Sequence, residues 1–177
     1  LGRRPPGRAR GSRAGSGQKG GCAEGFTAEV VAEIEAFVGP GAVDGLDFEA
    51  IETAARRQAL AIAARAVEQR FNADQSDHRG PTLSCPCGRP ARYAGRRAKT
   101  FQSALGALTL DRAYYHCDGC DAGFCPRDRA LGLQDSSLSP AVTRMVGRVG
   151  AMVSFVEGST LLQELAAVPV DPKQVER

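Results

Sequence analysis

CPCG at 85–88 and RAYYHCDGC at 112–120 decide how this chain folds. The first supplies Cys85 and Cys87, the second Cys117 and Cys120. Gly88 follows the first pair and Gly119 lies inside the second, and glycine lets a backbone fold back so that both sulfurs of a pair face one point. No hydrophobic secretory stretch opens the sequence, so a reducing cytoplasm is expected. There, paired thiols bind metal more often than they form disulfides. The spacing leaves three arrangements open: one shared ion, reduced thiols buried in a small β unit, or disulfides. The shared ion is favoured.

Four thiolates would close a tetrahedron around Zn²⁺ with no position for water, making the ion structural. The one-residue spacer of Cys85-x-Cys87 is tighter than the usual two, and the gap of 29 residues between pairs exceeds the usual ~15–20. Cys125 or His116 would stand in if the short pair cannot reach, although His116 reads as a strand residue beside the ligands. Cys22 reads as a bystander. Between the pairs, ARYAG (91–95), KTFQSAL (99–105) and ALTLDRAYYHC (107–117) read as strands with turns at Gly95 and Gly106. Two knuckles flanking an antiparallel meander make a zinc-ribbon-like module over 78–130.

Charge is unevenly spread. The net charge is +3, but residues 1–22 carry six basic and no acidic side chains, 23–77 sum to −7 and 78–177 to +4. The two ends suit a polyanion and the middle repels one. Arg79, Arg89, Arg92, Arg96, Arg97 and Lys99 run without an acidic residue, interleaved with Tyr93. They make either a phosphate grip or a solvated basic turn.

After the ribbon, Ser139-Pro140 caps a helix whose apolar face is Val142, Met145, Val146, Val149, Met152 and Val153. Ser154 and Glu157 have capping-box spacing for a second helix, with Phe155, Leu161, Leu162 and Leu165 on its buried side. Gly158 weakens it by about 1 kcal/mol relative to Ala. Asp171-Pro172 opens a third helix presenting Lys173, Gln174 and Arg177, side chains that reach phosphates and base edges. The alternatives are a helix-turn-helix-like unit over 138–177 or an ordinary three-helix core.

Upstream, residues 1–25 form a Gly/Pro/Ser-rich basic tail expected to be disordered, and 26–77 a helical region. Residues 27–38 fit an acidic helix. The 48–73 stretch is longer, with a stripe of Phe48, Ile51, Ala55, Ala59, Ile62 and Ala66 widened by Leu60, Val67 and Phe71. It needs a partner in this chain or in a second copy. No apolar run reaches the ~18 residues of a membrane span. The fold class expected is α+β.

CPCGRPARYAGRRAKTF, LTLDRAYYHC, FCPRDRALGL, SPAVTRMVG and SFVEGSTLLQEL occur in that order. Together they resemble the N-terminal region of bacterial insertion-sequence transposases of the ISKra type, over 48–177 and most closely from Cys85 onward. A Cys-x-Cys pair is expected in that family. The resemblance implies a front end that binds the double-stranded ends of the element. In the family an RNase H-like domain follows, whose Asp-Asp-Glu carboxylates hold two Mg²⁺ ions. The expectation is that this chain ends before that domain, has no catalytic residue, binds DNA and does not transpose alone. The alternative is a zinc-ribbon module for protein interaction or regulation.

Overall fold

The computed structural model describes residues 20–38 and 47–173. The chain divides into two units, Leu1–Gly45 and Leu46–Arg177. Of the expected features, residues 1–19 of the tail and the side chains Gln174 and Arg177 lie outside the described residues. Among the described residues the fold is α+β, with five helices and one four-stranded antiparallel sheet. No described helix is long and apolar enough to cross a membrane.

In the first unit, α1 (Gly20–Val38) starts seven residues before the expected 27–38 helix. Val31, Ile34 and Phe37, three apart on one side of it, are each nearly half exposed.

The second unit opens with α2 (Phe48–Ala73), capped by Asp47, whose carboxylate accepts from the Glu49 amide. Its bounds match the 48–73 expectation, and so does the Val67 and Phe71 part of its expected stripe, which packs on the sheet together with Ala64. The Phe48 end does not: Phe48 is 72% exposed. An Ala-rich stripe defines a broad arc, and where the sheet meets it sets the buried part. That contact is with β3 (Gly106–Cys117), the third strand of a sheet ordered β1 (Thr82–Ser84), β2 (Pro90–Ser103), β3, β4 (Ala122–Phe124).

Gly106 makes the expected tight turn between β2 and β3, at φ +117°, with Ser103 Oγ donating to its carbonyl. Gly95 does not make a turn. β2 runs unbroken for 14 residues, and Gly95 at φ +96° lies in a bulge between Tyr93 and Arg96. The bulge decides which side chains share a face. Arg92 pairs with His116, Arg97 with Arg112 and Lys99 with Leu110, so these three cations share one face. Arg96 pairs with Ala113 and points to the other.

Beyond the reach of β4, the open edge of β3 is covered by side chains. Glu68 accepts the Thr109 amide (2.7 Å), Asn72 the Asp111 amide (2.8 Å) and Asp77 the Ala113 amide (2.7 Å). β4 then takes over at Tyr115. An edge that would otherwise recruit another strand is thereby closed.

Three small cores result. Phe101, Leu108, Leu110 and Leu133 gather against α2 on one sheet face. Ala91, Ala113 and Tyr115 pack around Cys85 and Cys117 on the other. The third joins α4 (Pro140–Gly150) and α5 (Phe155–Ala166) through Val142, Val146 and Leu162, with Leu138, Val168 and Val170. Both caps form as expected: Ser139 accepts from the Val142 amide, and Ser154 and Glu157 make a reciprocal capping box. Met152 (82%), Phe155 (42%) and Leu165 (72%), expected on the buried side, are exposed. α3 (Pro126–Leu131) was not expected, although Pro126 at its start and left-handed Gly132 at its end are ordinary helix signals.

Candidate metal centre

β1 ends at the first cysteine pair and β3 at the second. The β1–β2 turn folds Gly88 back, its amide donating to the Cys85 carbonyl (2.9 Å), while Cys85 N–H donates to the Arg89 carbonyl (2.9 Å). Gly88 sits at φ +84°, which only glycine adopts freely. In the second turn the Cys120 amide donates to the Cys117 carbonyl (3.3 Å). Antiparallel pairing through β2 and β3 brings the two turns together at one end of the sheet.

The four sulfurs meet there. Cys85 Sγ lies 3.6 Å from Cys120 Sγ, and Cys87 Sγ lies 3.6 Å from Cys117 Sγ. All four are within 4.8 Å of one another, a group that could hold a metal ion. None of the five described cysteines is in a disulfide. Cys85 and Cys117 are buried, Cys87 and Cys120 exposed.

Backbone amides aimed at sulfur tune the thiols. The Cys87 amide pulls Cys85 down, but desolvation and bonds with Cys87, Cys120 and Cys117 outweigh it and push Cys85 up to about 12. The Arg89 amide, with the Cys85 and Cys120 thiols, brings Cys87 down to about 7. The Ala122 amide lowers Cys120, yet the Cys87 thiol and burial leave it raised. Amides that favour a thiolate are what a metal ligand requires.

Tyr115 explains the aromatic run before Cys117. It is fully buried, its hydroxyl donating to the Gly80 carbonyl (3.0 Å) and accepting the Arg79 amide (2.9 Å). Its ring lies edge-on to Tyr93 and stacks near Phe124. Tyr114 faces the opposite side, under the Arg97 guanidinium at 3.6 Å. Its ring lies so close over Gly123 that a Cβ there would sit 1.8 Å from the hydroxyl oxygen.

His116 and Cys125 stand outside the group of four. His116 Nε2 faces Asp121 (3.4 Å) and Asp118 (3.7 Å). Cys125 is the half-buried residue preceding α3, and burial raises its thiol pKa.

The basic residues read from the sequence are differently employed. Arg89 donates to the Gly119 carbonyl (3.0 Å), bracing one cysteine turn against the other. Lys99 donates to the Ser136 carbonyl (3.0 Å) and lies over Phe101. Arg92 and Arg97 are exposed, and Lys173 is exposed just after the Asp171 cap. Arg96 is anchored inside the fold: Nε bonds Asp111 (2.7 Å), Nη1 bonds Asp77 (3.0 Å) and Nη2 the Asp111 carbonyl (2.6 Å).

Asp77 went unread in the sequence. Its side chain is 3% exposed, and it also meets Arg127 (3.4 Å), whose guanidinium donates to the Phe71 and Asp74 carbonyls at the end of α2. A second buried pair joins Arg112 to Asp128. No local pattern announces these pairs, because the partners come from separate elements.

Comparison of the chain with protein-family models, with curated proteins and with solved structures returned no match.

Proposed function

We propose that Cys85, Cys87, Cys117 and Cys120 hold one structural Zn²⁺ and that the module they staple binds duplex DNA. The observation that carries this reading is the four-sulfur cluster at the end of a sheet whose one face bears Arg92 and Arg97. A tetrahedral ion with bonds of about 2.3 Å to sulfur needs sulfurs about 3.8 Å apart. The 3.6 Å pairs within a 4.8 Å cluster fit that with small adjustments. Four thiolates leave no open position, so the ion holds the two turns together and supplies no chemistry to a substrate.

Arg92 and Arg97 supply the electrostatic part, with Lys173 on the segment after α5. In this reading α4, α5 and the turn begun at Pro172 form a helix-turn-helix unit beside a zinc ribbon. The motif order supports the more specific proposal that the chain is the end-binding portion of an ISKra-type transposase. The second reading, a protein-interaction module, is favoured by Met152 and Val156, which are 82% and 67% exposed around the α4–α5 turn.

Duplex binding is tested by mobility shift between 50 and 200 mM salt. DNA binding predicts a steep loss of affinity with salt. Arg92→Ala/Arg97→Ala should reduce the log–log slope by about 2, nearly one per lost phosphate contact. Absence of any shift at low salt removes the DNA reading and leaves the interaction module.

A further inference from the structure

Between the cation-bearing face of the sheet and α3 lies a cleft of about 670 Å³. Its size falls within the range of small-molecule sites, and its lining reaches Cys85 of the metal centre at one end. Arg97 and Arg129 are exposed beside it, and Pro86 and Phe124 give it apolar wall. Its base is the Arg112–Asp128 pair, where Arg112 Nε and Asp128 Oδ1 are buried with no hydrogen-bond partner. One donor and one acceptor left unsatisfied in a buried pair are costly, and once the pair turns toward the cleft a ligand edge offering one of each would satisfy both.

Stacking geometry narrows the ligand further. Tyr114 has its hydroxyl edge against Gly123 and a ring face under Arg97. The outer side of the exposed Arg97 guanidinium continues that stack and accepts a flat π-system. A flat ring with a donor–acceptor edge and a negative charge for Arg129 describes a nucleotide. We infer that this cleft binds a single unpaired nucleotide, with its base on Arg97 and its phosphate at Arg129.

That chemistry has two sources, a free mononucleotide or an unpaired residue in a DNA strand. The second rests on the DNA-binding reading above, and the first does not. The test uses the full chain, and Arg129→Gln as an exposed substitution that leaves the packing of α3 intact. Three probes are titrated: dAMP followed by NMR, a blunt 20-base-pair duplex, and the same duplex with a three-nucleotide 3′ overhang.

The expected result is dAMP-induced shifts around Arg97 and Tyr114, or an overhang bound about tenfold more tightly than blunt duplex, the scale of one stacked base. Arg129→Gln should abolish that signal or preference while lowering blunt-duplex affinity by less than about threefold. Binding of dAMP with no duplex binding would uphold the cleft and defeat the DNA reading. Equal affinity for blunt and overhanging duplex with no response to dAMP would overturn the cleft and leave the DNA reading standing.

Discussion

Asp77 offers the sharpest test of how the module is held together. Its buried carboxylate accepts the Ala113 amide at 2.7 Å and pairs with Arg96 at 3.0 Å and Arg127 at 3.4 Å. Asp77→Ala removes an acceptor from all three donors and strands the Ala113 amide. Breaking a buried ion pair from one side costs about 3–5 kcal/mol, and the orphaned amide about 1–3 kcal/mol if taken alone. Arg96 keeps Asp111, and Arg127 keeps the Asp74 side chain and two α2 carbonyls, which brings the expectation to about 4 kcal/mol. Asp77→Asn retains an acceptor for Ala113 and should cost about half as much.

The assay is urea unfolding of metal-loaded protein, read at unchanged m-value so that the denatured state is the same. A cycle with Arg96→Ala should show coupling of about 1.5–3 kcal/mol, because each single change leaves the other charge buried. If Asp77→Ala falls within about 1 kcal/mol of wild type, the hub contributes little and the reasoning is wrong.

Two glycines separate crowding by a packed aromatic side chain from crowding by a movable one. Gly123→Ala meets the Tyr114 ring at 1.8–2.6 Å and should lower stability by about 2 kcal/mol or more. Gly119→Ala meets only the movable Arg89 side chain and should cost under about 1 kcal/mol; equal costs in thermal melts would refute the distinction. Glu157 is held below its ordinary 4.5 by the Ser154 hydroxyl and amide. Since the folded value is the lower one, its contribution is complete above about pH 5 and fades as pH falls through the folded value. Glu157→Gln should therefore flatten the acid loss of helicity at 222 nm, and superimposable acid curves would count against the capping box.

The parts of this fold that were legible in the sequence are those fixed by neighbours in the chain. Ser139 and Ser154 mark helix starts because caps act over two or three residues. The cysteine turns were legible for the same reason. Gly95 misled because glycine signals a positive φ without saying whether a turn or a bulge uses it. Pairing with β3 made it a bulge and thereby divided the basic run between two faces. Arg96 looked like a phosphate ligand because nothing nearby in sequence reveals that Asp77 and Asp111 enclose it. The α2 stripe was misjudged at its Phe48 end because Ala residues give a broad face and the sheet selects part of it. α3, by contrast, carried its Pro and Gly signals in plain view.

The metal content of the folded chain measures the central claim most directly. Native mass spectrometry of protein prepared with zinc should show one ion per chain, held by Cys85, Cys87, Cys117 and Cys120. Cys117→Ser should lose that ion together with much of the thermal stability, whereas Cys125→Ser should keep both. A folded wild-type chain with no bound metal, or an ion that survives Cys117→Ser and leaves with Cys125→Ser, would contradict the account.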